Sequence, residues 1–305
     1  MALTYGEISA ITEKYFIPKL VDNIFTSNVL LQRARKKFMQ TQDGGERIMC
    51  PVMYATTSAS DWYSGADTLD ITANDQITSA EFEWKQAYAN ITITRLDDLK
   101  NSGKLATVNF VKSKVQVAEK TLADKIGTGL YNLGTDADAI VGLRLAIDST
   151  GTYGGIDRST YTWWASQEDS STTALSLSAM QALYGDCTIG NDKPSVIVTT
   201  QDIFDDYFAL LQPQQRFQDS NTANAGFNNL LFRGVPIVVD NKCPASHMFM
   251  LNEDYLKLYI HTKENFRFEP FQKPLNQNVS SAKIYFAGAL TSSNCRMQGK
   301  MNALV

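Results

Sequence analysis

The chain has 305 residues, of which 44% are hydrophobic and 20% charged, and its mean hydropathy is −0.22. That balance gives a folded protein with a substantial core and excludes a disordered chain. The net charge of −4 excludes a surface that is basic throughout, the footprint of general nucleic-acid binding. No stretch approaches the ~18 apolar residues of a membrane span. The opening MALTYGEISAITEKYF carries acids and no long apolar run, so no secretory signal is predicted and a start in a cytoplasm is expected, with no membrane partner. Cys50, Cys187, Cys243 and Cys295 lie far apart and are expected to be reduced, buried apolar residues.

Residues 4–38 predict a broken helical arm. Ile8, Ile11, Tyr15 and Phe16 recur at helical spacing before Pro18 interrupts. A second piece runs through Leu20, Ile24 and Phe25, and a third, SNVLLQRARKKF, opens on the candidate cap Ser27. So thin an arm must lie on its own body or on a neighbour. After the turn signal Gly44-Gly45, RIMCPVMYAT and AEFEWKQAYANITIT predict two long strands. The polar stretch SASDWYSGADTLDITANDQ joins them. Two strands alone are marginally stable in water, so this hairpin is expected to need a partner surface.

The spacing of Val111, Val115, Ala118, Leu122, Ile126, Leu130 and Leu133 predicts one long helix over 104–133, with Lys112, Lys120, Asp124 and Lys125 on its opposite face. Thirty helical residues span roughly 45 Å, more than a compact domain needs. Residues 134–170 predict loops and short strands around GTYGGIDRSTYTWW. From Ala174 the pattern alternates: SLSAMQALYGDCTI helical, KPSVIVTT a buried strand, QDIFDDYFALLQ helical, and LLFRGVPIVVDN strand, turn, strand. Strands then continue through HMFMLNEDYLKLYIH, RFEPF, KIYFAGAL and NCRMQGKMNAL. The predicted class is α+β.

No catalytic constellation emerges. There is no G-x-S-x-G elbow beside the two histidines, His247 and His261. Cys243 and His247 lack the second pair of a structural zinc site. GDCTIG (185–190) is followed by Asn191 where a phosphate loop needs lysine. Asp205 and Asp206 are adjacent on a helix and diverge by about 100°. No catalytic residue, metal ligand or cofactor is therefore predicted.

The order of parts resembles the Hong Kong ninety-seven type capsid fold of tailed phages. The resemblance covers nearly the whole chain. Its most specific pieces are GGIDRSTYTWW (154–164), SVIVTTQDIFDDYFALL (195–211), FRGVPIVVD (232–240) and MFMLNEDYLKLYI (248–260). It implies an N-terminal arm over 1–42, an extended loop over 43–94, a peripheral domain with its spine helix over 95–173, an axial domain over 174–245, and closing strands over 246–305. It implies a major capsid protein that assembles with itself as pentamers and hexamers in the host cytoplasm, with a portal, a separate scaffolding protein and packaged double-stranded DNA as partners. An encapsulin-like compartment is the alternative on the same fold, and a soluble enzyme with an unrecognised site is the third. Some relatives crosslink a loop lysine to a neighbour; no lysine lies between Arg47 and Lys85, so a non-covalent shell is expected. The arm is expected to begin at Met1 without a scaffolding segment cleaved from it.

Charge sharpens the candidate contacts. From Ile48 to Trp84 there are six acids and no Lys or Arg, so this stretch carries −6 and the remainder +2 (−4 minus −6). Trp62 and Tyr63, with Asp67, Asp70 and Asp75, are candidate inter-subunit contacts, since aromatic residues are enriched at interfaces. Arg33, Arg35, Lys36 and Lys37 form a basic helix end. They either complement the helix dipole, contact packaged DNA or attract a neighbour's acidic loop.

Overall fold

A computed structural model describes residues 28–100, 104–211 and 230–304. The first two pieces of the predicted arm, with Pro18, lie outside the described residues. The third is helix α1 (Val29–Lys37). Ser27 also lies outside them, and the cap is Asn28, whose side-chain oxygen accepts the Leu31 N–H at 3.1 Å. Asp240 Oδ2 accepts the neighbouring Leu30 N–H at 3.2 Å and the Tyr131 hydroxyl at 3.1 Å. These bonds satisfy donors that a helix start leaves open. Leu30, Leu31 and Ala34 are buried, so this part of the arm lies on its own body.

Strand β1 (Met39–Gln42) follows, then β2 (Ile48–Met53), β3 (Ile77–Phe82) and β4 (Lys85–Thr94). The single strand expected over 80–94 is thus two strands in different sheets. Parity explains the break. β3 buries Ala80 and Phe82, at even positions, while β4 buries Ala89, Ile91 and Ile93, at odd ones. Successive side chains alternate faces, so one continuous strand cannot bury both sets on one side. Glu83 and Trp84 make the jog.

A short helix α2 (Arg95–Lys100) leads to α3 (Lys104–Gly129), about 39 Å long at 1.5 Å per residue. The predicted stripe is its buried face: Val111, Val115, Ala118, Leu122, Ile126 and Leu130 are all buried. The helix ends at Gly129, four residues before the predicted end, and Leu133 is exposed. Each fully buried Val, Leu or Ile contributes about 1.5–3 kcal/mol of transfer free energy. The partner of the stripe is β4, against which α3 packs.

The segment after α3 holds α4 (Leu143–Ala146), the two-stranded pair β5 (Thr152–Tyr153) and β6 (Ile156–Asp157), a 3₁₀ turn at Thr162–Trp164, and β7 (Gln167–Asp169). Gly154 and Gly155, at φ +60° and +78°, form the two-residue turn of β5–β6, a conformation that glycine reaches without penalty. Arg158 is buried and donates to the carbonyls of Leu145, Ala146 and Thr150, closing the end of α4.

Then come α5 (Leu177–Asp186), β8 (Val196–Thr199), α6 (Gln201–Leu211), β9 (Leu231–Phe232), β10 (Val235–Val239), β11 (Met248–Leu251), β12 (Leu256–Gln272), β13 (Val279–Ser292) and β14 (Gly299–Met301). Ser176 caps α5 by accepting from Ala179 N–H. Arg233 and Gly234, both at positive φ, make the tight turn between β9 and β10. One sheet has the order β1-β12-β13-β4, the other β7-β14-β11-β8-β10-β9, and β2-β3 and β5-β6 are separate ribbons.

The six-stranded sheet is buried on both faces. Val196, Val198, Phe249 and Leu251 join the larger core with α3 and the four-stranded sheet. Ile197, Met248 and Met250 point the other way, into a second core with α5 and α6. Residues adjacent along β8 and β11 therefore belong to different cores, which is why both read as uninterrupted apolar runs. The class is α+β, as predicted.

Candidate assembly surface

The β2–β3 ribbon has one face turned to its own body. Ile48 pairs with Phe82, Cys50 with Ala80 and Val52 with Thr78. The first two pairs and Val52 are buried. They pack on the 151–164 segment. Phe82 meets Tyr153 edge to face at 5.0 Å, and Tyr54 stacks on Trp163 at 5.3 Å. Glu81 N–H donates to the Gly154 carbonyl at 2.9 Å. Trp164, buried beneath, donates its indole N–H to the Tyr153 carbonyl at 2.9 Å. The hairpin's base therefore rests on its own chain, whereas the sequence led to the expectation of a partner surface for the hairpin as a whole. The function of GGIDRSTYTWW as a seat was not visible in the sequence.

Beyond the base, every residue from Ser60 to Asp75 is exposed. Trp62 is 100% exposed, Ile71 93%, Tyr63 68% and Leu69 57%. The acids order the tip locally. Asp67 accepts the Ser64 N–H at 2.8 Å, and Asp61 accepts that of Trp62 at 2.8 Å. Asp70 accepts both the N–H and the hydroxyl of Thr72, which hold its carboxyl below the usual range. Asp75 is exposed. The five predicted tip residues are thus brought together on one projecting segment. The outer face of the ribbon adds Met49, Met53 and Ile77, all exposed.

The basic end of α1 is placed elsewhere. Arg33 makes a two-pronged pair with Glu253, Nε to Oε1 at 2.8 Å and Nη2 to Oε2 at 3.0 Å, and Lys37 Nζ reaches Oε2 at 2.7 Å. The Glu253 side chain is 2% exposed. Burial pushes its carboxyl up, but hydrogen bonds from Arg33, Lys37 and Ser195 outweigh this and hold it below the usual range. Arg33 and Lys37 are therefore engaged within the chain, and Arg35, Lys36 and Lys37 are all solvent-exposed. Glu253 was not singled out from sequence, because its cationic partners, Arg33 and Lys37, lie more than two hundred residues away.

A groove of about 600 Å³ opens between the end of α3, the loop after it and the start of β4. Ile126, Ile140 and Phe286 line it with Lys85, Lys125 and Lys242, alongside Asp136 and Asp138. It offers apolar area and cations together.

The four cysteines are free and buried. Burial pushes Cys187 and Cys243 up to about 12 and Cys295 to about 11. Cys243 approaches the main-chain oxygen of His247 at 3.6 Å. Among the described residues, no group of three or more His, Cys, Asp or Glu side chains could hold a metal ion. No helix among them is long and apolar enough to cross a membrane.

By sequence, the chain matches no known family and no curated protein. Its fold is similar to that of solved capsid structures. The capsid of cyanophage A-1(L) is 19% identical, with a TM-score of 0.63 over 89% of this chain and 90% of that one. The capsid of Myoviridae phage XM1 is 12% identical, with a TM-score of 0.58 over 86% and 87%. An encapsulin complex from Synechococcus elongatus is 8% identical, with a TM-score of 0.59 over 90% and 87%. The chain has the Hong Kong ninety-seven type capsid fold that the sequence resembles.

Proposed function

We propose that this chain is the major capsid protein of a tailed double-stranded DNA phage, closing with copies of itself into an icosahedral shell. The observation that carries the reading is the hairpin tip. It projects four large apolar side chains, Trp62, Tyr63, Leu69 and Ile71, with four aspartates and no cation between Ile48 and Trp84. Such a segment gains by burial on a surface that its own chain does not provide. The groove beside α3 has an apolar wall with Lys125 and Arg144 on it, while its Lys85 and Lys242 are paired with Glu83 and Asp124, so its apolar wall is the larger part of its complementarity to the tip. A tip on one copy and a groove on the next make a head-to-tail contact, which closes into rings when the rotation allows.

On this reading residues 1–42 are the arm, 43–94 the extended loop, 95–173 the peripheral domain, 174–245 the axial domain and 246–305 the closing strands. Pentamers and hexamers are built without covalent crosslinks, and portal, scaffolding protein and packaged DNA are the partners. Likeness to an encapsulin favours one second reading, a compartment around a protein cargo.

Electron microscopy of the chain expressed alone tests the proposal. Closed shells, tubes or capsomer rings are expected. A monomer at every concentration and salt, with and without a scaffolding protein, would overturn it. Shells that retain a co-expressed protein and exclude DNA would favour the compartment.

A further inference from the structure

The hairpin tip can meet a neighbour only where its base points it, and the base is held by its buried face, Ile48, Cys50, Val52, Ala80 and Phe82, and by contacts at its root and its seat. At its root, Trp84 donates its indole N–H to the Gly45 carbonyl at 3.0 Å and packs edge to face on His261 at 5.5 Å. Gly44 and Gly45 both take positive φ there. Farther out, the ribbon touches the β5–β6 turn at Gly154 and the ring of Trp163. Beside the seat lies a crevice of about 280 Å³, bounded by Arg47, Glu81 and Phe82 on the hairpin side and by Lys85, Val141, Leu145 and Leu290 on the body side. The crevice leaves the ribbon unsupported on one side, so the tight Gly154 contact fixes its spacing from the body.

Gly154 is filled to its limit. A Cβ placed there would meet the Ala80 Cβ at 3.0 Å and the Phe82 ring at 3.0 Å. Gly155, one residue on in the same turn and also at positive φ, would meet nothing within 4 Å. The two glycines share a backbone demand, but only Gly154 is pressed against the hairpin.

Resting on the shell reading above, we infer that the seat formed by Gly154 and Trp163 sets the pitch of the hairpin and thereby the curvature of the shell. The ribbon is stiff, being paired along six residues on each strand. Its far end lies about 20 Å from the root at ~3.3 Å per residue. A tilt of about 5° moves that end by about 2 Å, enough to break close packing at an interface. In a head-to-tail contact, a small rotation repeated at every copy changes the ring that closes and the radius of the assembly. Gly154 and Trp163 act through the hairpin and are positioning residues.

The test compares particle diameters by electron microscopy for the full-length chain and three variants. Gly155→Ala carries the strain of the turn without touching the hairpin, and its diameter distribution should match the parent. Gly154→Ala pushes on Ala80 and Phe82 and should shift or broaden the distribution. Trp163→Ala removes the stack under Tyr54 and should broaden it. If Gly154→Ala fails to fold, the double variant Gly154→Ala with Ala80→Gly, which returns space to the seat, should restore folding and parental diameters. Gly154→Ala particles indistinguishable from those of Gly155→Ala would overturn the inference while leaving the shell reading intact. Absence of any particles from the parent chain, with and without a scaffolding protein, would remove the shell reading, and this inference with it.

Discussion

Replacing Glu253 by glutamine tests how α1 is held to the body. The carboxylate is 2% exposed and takes three hydrogen bonds from Arg33 and Lys37, whose side chains keep 23% and 51% of their exposure. Ser195 adds a hydroxyl donor at 2.8 Å, and its oxygen accepts the Glu253 N–H at 3.1 Å. Breaking a buried pair costs about 3–5 kcal/mol. The two cations retain water, so the lower end applies, about 3 kcal/mol. That loss should appear as a lower urea midpoint of dissociated subunits with an unchanged slope. Trypsin supplies a local readout, because Arg33, Arg35, Lys36 and Lys37 are its sites. If α1 opens independently, cleavage there should rise about 100-fold, at 1.4 kcal/mol per decade. The sign with pH follows from the depressed carboxyl. Stability from this group is complete above the unfolded glutamate value of ~4.3 and is lost as pH falls through the lower folded value. The glutamine variant should lack that acid limb. A double-mutant cycle with Arg33→Gln should give a coupling of about 1.5–3 kcal/mol, the range for bonds to charged groups. A coupling below about 0.5 kcal/mol, as for an exposed pair, would refute the reasoning.

Reversing Asp67 and Asp70 to lysine should leave the subunit folded, since both are fully exposed, yet impair assembly. Circular dichroism and particle yield would show this, and normal particles from the variant would refute a charge-guided contact. The thiols give an independent check on the core. With Cys187 and Cys243 pushed up to about 12 and Cys295 to about 11, native protein at pH 8 should react slowly with a thiol reagent, and all four cysteines should react on unfolding. Rapid labelling of any one in the native state would contradict the packing around it.

Elements whose signal is local were legible in the sequence. The α3 stripe and the Arg233-Gly234 turn both depend on residues within a few positions of one another. The break between β3 and β4 was also encoded, as the change from even to odd apolar positions across Glu83-Trp84, but alternation within each half hides it. What sequence did not reveal was long-range pairing. Glu253 reaches back 220 residues to Arg33, Asp240 caps a helix 210 residues away, and Gly154 takes a hydrogen bond from Glu81. The basic run at the end of α1 left three readings open in the sequence, and the pairing of Arg33 and Lys37 with Glu253 was not among them because it joins residues more than 200 positions apart. The projecting acidic tip was legible from composition alone: a long stretch without cations, with aromatic residues among Ser, Asp and Gly.

For the proposed contact, the composition of the tip separates the force that would drive it from the one that would orient it. Burial of a large apolar side chain contributes about 1.5–3 kcal/mol. Trp62, Tyr63, Leu69 and Ile71 together therefore offer on the order of 6–12 kcal/mol per contact before ordering costs. Four exposed carboxylates paired with lysines offer about 0–1 kcal/mol each, less in salt. In the proposed contact the apolar groups are thus the expected source of affinity, and the aspartates the expected selectors of register and partner. Raising the salt should accordingly loosen specificity, giving malformed or mixed assemblies, before it dissolves them. Truncating Trp62 should weaken assembly at every ionic strength, because its contribution is not screened.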